Sequence, residues 1–405
     1  MADQQQEPPT SFRALLLEDH DFQRQVGADV LRSCGASEVY EASDGLDALA
    51  VMHELTEPVD LYVCDVNMPG MDGIEFLRQL GARSDGSSVI IVSAVDPSII
   101  RTVVMMAQNY GVRIIGAVEK PLTPEKLTPL LARLNRQRRL AERKKPDFLN
   151  PEELKRALNA REFVPYFQPQ VSLHDRSLVG VEALIRWMHP VHGMLVPAVF
   201  VPTMEECGLI TAVTDALLGR VVESWAEWRK QGLDVPISLN VSARSLQDSD
   251  LPERFARIVG KAQFVLSDLT IEVTETAAMT NLGRSLETLA RLRMRGFRLS
   301  LDDYGTGFSS MQQLMRVPLN ELKIDREFVT GAADDPLLEI LLDAGINIAR
   351  RLKIRSFAEG VETQKDWDHV ARLGCDVAQG FYIARPMPGN ELVAWHETWK
   401  RGGAP

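Results

Sequence analysis

A chain of 405 residues exceeds one ordinary domain, and two is the expectation. Its 45% hydrophobic and 25% charged residues are a globular composition, and a net charge of −11 argues against a general binder of DNA or anionic membrane. No apolar run approaches a membrane span, and the polar start, Met1–Thr10, lacks the apolar core of a signal peptide. Cys34, Cys64, Cys207 and Cys375 lie far apart with no CxxC, so a reduced, cytoplasmic protein is expected. The histidines form no HExxH, and zinc is not expected.

From Phe12 onward, short apolar strands alternate with helical stretches. Strands are predicted over 13–17, 38–41, 61–64, 89–92 and 114–118, with helices between them. Five βα units in so short a span predict a doubly wound, flavodoxin-like parallel sheet. The strands end in Glu18-Asp19, Asp65, Ser93 and Lys120, which such a sheet brings to one carboxyl edge. Polar strand ends are common, so each residue alone has an ordinary explanation. Together they make a phosphoryl-acceptor site. Glu18 and Asp19 would hold one Mg2+, Asp65 would be the nucleophile, and Ser93 and Lys120 would hold the phosphoryl oxygens.

These motifs resemble the response-regulator receiver family: Glu18-Asp19, Cys64-Asp65-Val-Asn67-Met-Pro-Gly-Met-Asp-Gly73, Ser93-Ala94 and Lys120-Pro121. The resemblance implies phosphorylation of Asp65 by a sensor histidine kinase, with Asn67 in the metal and phosphate site. One departure is Ala117, three positions before the lysine, where receivers usually carry an aromatic switch residue. A connection follows. Leu127, Leu130, Leu131, Leu134 and Leu140 keep mostly helical spacing in a stretch rich in Arg and Lys, read as the last receiver helix running into a solvated linker. The division expected is 11–135, a basic linker 136–149, and a second domain 150–401.

The second domain reads as eight strands, mostly separated by helices, as in a (β/α)8 barrel. Their polar ends are Gln168, Glu182, Asn240, Glu272, Asp302, Lys323, Glu359 and Gln379, which a barrel brings to one mouth. Glu182, Asn240, Glu272 and Asp302 offer oxygen ligands for one Mg2+ or Mn2+. Asp302, Asp303 and Glu359 could hold a second ion. Two such ions about 3.5–4 Å apart suit phosphodiester hydrolysis. Lys323 would offset developing charge, and Glu359 would act as general base. The bland alternative is a mouth that merely binds water.

The same residues carry a second resemblance, to the EAL domain family of cyclic-di-GMP phosphodiesterases. The motifs are Glu182-Ala-Leu184-Ile-Arg186-Trp187, Leu239-Asn240-Val-Ser242, Glu272-Val-Thr-Glu275, Asp302-Asp303-Tyr304-Gly-Thr-Gly307, Lys323-Ile-Asp325, Glu359-Gly-Val-Glu362 and Gln379-Gly-Phe381. The resemblance implies a TIM-type barrel with an antiparallel first strand, opening cyclic-di-GMP to linear pGpG. It places Gln168, Leu184, Arg186, Asp325 and Gln379 at the substrate, and Glu275 as the clamp of the loop after Asp303. It also implies a homo-oligomer, dimer or tetramer. Tyr304 stands where a Phe is more usual. A receptor that binds the nucleotide without cutting it is the alternative function.

Overall fold

The computed structural model describes residues 11–55, 58–83, 87–141, 148–262, 264–279, 281–305 and 317–402, without the side chains of 97, 98, 101, 109, 135–141, 276 and 279. The chain divides into two compact units, Met1–Pro146 and Asp147–Pro405. The polar start, most of the basic linker and the loop residues Thr306–Ser310 lie outside the described residues or side chains.

The first unit is the expected parallel sheet. Strands β1 (Phe12–Leu17), β2 (Ala36–Ala42), β3 (Leu61–Asp65), β4 (Ser88–Ser93) and β5 (Arg113–Glu119) lie in the order β2-β1-β3-β4-β5, all parallel. Successive strand residues face opposite sides, so one chain segment supplies two cores. Leu15, Leu17, Tyr62, Cys64 and Ile91 join one, while Ala14, Leu16, Leu61, Val63 and Ile90 join the other. Burial on both faces explains why β1, β3 and β4 read as mostly apolar runs. The last helix spans Pro124–Ala141, with Leu127, Leu130, Leu131 and Leu134 buried against the sheet. Ala117 is exposed on β5.

The second unit is a closed barrel. Its eight strands are β6 (Phe163–Ser172), β7 (Leu178–His189), β9 (Ile237–Asn240), β10 (Leu269–Thr274), β11 (Arg298–Tyr304), β12 (Glu321–Ile324), β13 (Arg355–Ala358) and β14 (Val377–Ala378). β6 runs antiparallel to both β7 and β14, and the other neighbours are parallel. Two further short strands were not foreseen: β8 (Gly193–Leu195) beside β7, and β15 (Met387–Pro388) beside β6. β6 and β7 pair antiparallel from Phe163↔Trp187 to Val171↔Leu178.

Alternation sorts the barrel residues. Leu239, Ile271, Val273, Leu299, Leu301 and Leu322 join the core packed against the surrounding helices. Ser238, Asn240, Glu272, Ser300, Asp302 and Lys323 alternate with them and so point inward. Among the described residues, no helix is long and apolar enough to cross a membrane.

Candidate functional site

The barrel mouth is built around one lysine. Lys323, 1% exposed at the end of β12, places Nζ 2.5 Å from Glu359, 3.0 Å from Glu272, 3.3 Å from Asp302 and 3.4 Å from Glu182. Asn240 on β9 donates from Nδ2 to Glu182 Oε1 at 2.6 Å and to Glu272 Oε2 at 3.4 Å. Gln379, just past β14, donates to Glu182 Oε2 at 2.5 Å and to Gln168 Oε1 at 3.1 Å. In-register neighbours explain the gathering: Asn240 pairs with Glu272, Thr274 with Asp302, and Gln168 with Glu182.

The charges do not balance. Five carboxylates (Glu182, Glu272, Asp302, Asp303 and Glu359) meet one ammonium. Burial lowers the proton affinity of Lys323, but the surrounding carboxylates outweigh it and push the group well above its ordinary range. Burial pushes Glu272 well up, with Lys323 opposing and the neighbouring carboxylates adding to it. Asp302 is raised for the same reasons. Glu359 is pushed up to about 8 by burial, against Lys323 and with Asp302 and Glu182. Burial, then Asp302 and Asp325, push Asp303 up to about 6. Only Glu182 is lowered, because Lys323 and the amides of Gln379 and Asn240 outweigh its burial.

A divalent cation fits this imbalance. Asp302, Asp303 and Glu359 each offer an oxygen within 4.8 Å of the others. Glu272 Oε1 is buried with no hydrogen-bond partner, an orphan that a cation would satisfy. All the donors are oxygens, the preference of Mg2+ and Mn2+.

Asp303 takes a left-handed backbone, φ 54°, and its N–H donates to Asp302 Oδ1 at 3.1 Å. Glu275, buried at the first turn of the helix Glu275–Met279, accepts from the N–H of Gly305 at 3.3 Å. That contact holds the base of the loop; Thr306 and Gly307 lie outside the described residues.

A cleft of about 310 Å3 opens over the mouth, lined by Gln168, Glu182, Leu184, Asp302, Asp303, Asp325, Glu359 and Gln379 among others. Arg186 is not among its lining residues. Its guanidinium carbon stands 5.7 Å from the ring centroid of Tyr166, and Nη1 donates to the Ile185 carbonyl. Arg326, Glu362 and Phe381 also line the cleft, though sequence reasoning gave them no role. The available signal was position: Glu362 and Phe381 sit in the loops just after Glu359 and Gln379. Phe381 is an exposed aromatic with the Arg385 guanidinium 4.2 Å from its ring centroid.

In the first unit, Lys120 Nζ lies 2.6 Å from Asp65 and 2.7 Å from Glu18. Burial lowers its proton affinity, yet both carboxylates outweigh that and raise it. Glu18, Asp19 and Asp65 offer oxygens within 4.8 Å of one another. The Asn67 N–H donates to Asp65 Oδ1 at 3.1 Å, and Ser93 is fully buried at the end of β4.

An acidic parallel-sheet unit followed by a barrel with a carboxylate mouth defines the class of this protein. The sequence profile of the EAL domain matches residues 151–386, and that of the response regulator receiver domain matches residues 14–132. The chain belongs to the EAL domain family and carries a receiver domain ahead of its barrel. It is 33% identical to "Cyclic di-GMP phosphodiesterase RocR" of Pseudomonas aeruginosa, over 94% of this chain and 98% of that one. It is 37% identical to the bifunctional diguanylate cyclase/cyclic di-GMP phosphodiesterase MucR of the same organism, over 60% of this chain and 36% of that protein. With the oxygen sensor protein DosP of Escherichia coli it shares 33% identity, over 60% of this chain and 30% of that one. The chain thus spans nearly all of RocR and about a third of the other two. Among solved structures, the PaMucR phosphodiesterase in complex with c-di-GMP superposes with a TM-score of 0.57 at 37% identity, covering 60% of this chain and 98% of that one.

Proposed function

We propose that this chain is a two-component response regulator whose EAL barrel hydrolyses cyclic-di-GMP to linear pGpG, under the control of phosphorylation at Asp65. The carrying observation is the gathering of Glu182, Asn240, Glu272, Asp302, Asp303 and Glu359 around Lys323, a constellation suited to phosphodiester hydrolysis. The likeness to RocR along nearly the whole chain, and to a MucR barrel solved with c-di-GMP, supports the substrate class.

In this reading Glu182, Asn240, Glu272 and Asp302 would hold one Mg2+ or Mn2+, and Asp302, Asp303 and Glu359 a second. Ions held there would supply Lewis-acid polarisation of the phosphodiester and a water made nucleophilic near neutral pH. Glu359, at the mouth 2.5 Å from Lys323, would accept the proton of the attacking water. Lys323 stays an ammonium and faces the charge that develops on the phosphate oxygens. Gln168, Leu184, Asp325 and Gln379 line the cleft and would orient the dinucleotide, and Arg186, which lies over Tyr166 outside that lining, would have to swing toward it to meet a phosphate. In the receiver, Glu18 and Asp19 would hold Mg2+, while Ser93 and Lys120 would receive the phosphoryl oxygens and Asn67 would complete the pocket.

We assign the receiver to 11–135, the connection to 136–149 and the EAL domain to 150–401, with a sensor histidine kinase as phosphodonor and a homo-oligomer, dimer or tetramer, as the working form. The test is incubation with Mg2+ and cyclic-di-GMP, with chromatography for pGpG. Product should form, and Glu182→Ala should abolish it while the fold survives. Nucleotide that binds and is never cut would favour a receptor instead.

A further inference from the structure

Beneath the mouth lies a second polar layer inside the barrel, and it contains a glutamine that the mechanism above does not use. Gln170 on β6 is 4% exposed and lies two residues from Gln168, on the same face of the strand. Its Nε2 donates to Gln379 Oε1 at 2.9 Å and to Ser238 Oγ at 3.3 Å. The other end of the Gln379 amide then meets Glu182 Oε2 and Gln168 Oε1 as a donor.

A glutamine amide has a donor end and an acceptor end, and half a turn exchanges them. With the Gln170 N–H on Gln379 Oε1, the Gln379 N–H must face Glu182. Reversed, a carbonyl oxygen would meet a carboxylate, and two N–H groups would meet each other. Buried groups left without partners in this way are costly, so the reversed arrangement is disfavoured. Space for the Gln170 amide comes from its cross-strand partner, Gly180. A Cβ there would stand 2.6 Å from Gln170 Oε1.

We infer that Gln170 is a positioning residue, which fixes the orientation of Glu182 as a cation ligand by locking the Gln379 amide. The inference rests on the reading of Glu182 as such a ligand. Outer hydrogen-bond partners of metal ligands are typically worth roughly 10–100-fold in metal affinity or activity. Gln170 acts one bond further out, so effects at or below the lower end of that range are expected.

The test is Mn2+ binding by the full chain without nucleotide, followed by electron paramagnetic resonance, together with kcat and KM for cyclic-di-GMP. Every protein carries Asp19→Asn to silence the receiver site. Gln170→Leu removes the donor at similar size. Gln170→Glu replaces the donor by an acceptor, which turns the Gln379 amide round. Mn2+ affinity should fall about threefold in the Leu variant and roughly tenfold in the Glu variant, with kcat falling in the same order. A residue that only packs would move the melting temperature and leave Mn2+ affinity alone. Parental Mn2+ affinity in both variants, beside lost binding in a Glu182→Gln control, overturns the role of Gln170 alone. Undiminished binding in that control overturns the reading of Glu182, and this inference with it. If Gln170→Glu does not fold, Gly180→Ala, which crowds the same amide, takes its place beside Gln170→Leu.

Discussion

Glu359 concentrates the chemistry of the mouth in one side chain. It is half-buried among carboxylates, 2.5 Å from Lys323, and pushed up to about 8. Glu359→Gln keeps its size and removes the basic oxygen, so kcat should fall on the order of a hundredfold or more while KM changes little. An unchanged kcat would assign the base elsewhere. The same side chain links pH to stability. A carboxyl raised from 4.5 to about 8 binds its proton more tightly in the folded state. Its stabilising contribution is therefore full below pH 4.5 and is lost as pH rises through about 8. In EDTA the melting temperature should drop between pH 6 and pH 8, more steeply in the parent than in Glu359→Gln. Excess Mg2+ should flatten the parental drop, since a bound cation supplies the missing positive charge. Identical slopes in parent and variant, measured by calorimetry, would refute this account of Glu359.

At the scale of elements, the segment leaving β11 joins the mouth to its surroundings. Asp303 has a positive φ, and Gly305 has φ +99° with its backbone against Phe328. A Cβ on Gly305 would stand 2.7 Å from the Phe328 ring, in a backbone region costing L-residues roughly 1–2 kcal/mol. Gly305→Ala should therefore lower both stability and turnover. Glu275→Ala removes the carboxylate that holds the Gly305 N–H and should lower turnover without a comparable loss of stability. Steady-state kinetics beside melting curves separates the two. Equal activity in Glu275→Ala and the parent would remove Glu275 from the loop's support. We further propose that phosphorylation of Asp65 acts on the mouth through a change at an oligomer interface.

For the molecule as a whole, that proposal predicts a response to phosphodonor. Asp65 and Asp302 lie in separate compact units, so any effect of one on the other is a coupling between two states of the protein. Hydrolysis should rise with a small-molecule phosphodonor, and Asp65→Ala should lose that rise while keeping basal turnover. A donor response that survives Asp65→Ala would place phosphorylation elsewhere. Ala117, exposed on β5, offers no aromatic ring to relay the signal, so the relay must use other groups.

Much of this architecture was legible in the chain before it folded. Apolar runs ended or interrupted by Glu18-Asp19, Asp65, Glu182, Asn240, Glu272 and Asp302 announce strands that carry polar residues, though β7 runs on past Glu182 to His189, and alternation with helices announces parallel sheets. Those signals are local, since period and punctuation are properties of a few consecutive residues. Distances between residues far apart in sequence are not. Lys323 reads as one more polar strand end, yet barrel closure sets it among four carboxylates carried by four other strands or strand ends. Gln170 reads as an unremarkable residue in β6; only the pairing of β6 with β7 on one side and β14 on the other brings it to Gln379, 209 positions away. Arg186 stands in its expected motif but leans over Tyr166, because the antiparallel hairpin extends beyond the mouth. Strand identity follows from the order of apolar and polar residues along the chain. The company each side chain keeps follows from register and closure, which depend on the whole barrel's packing at once.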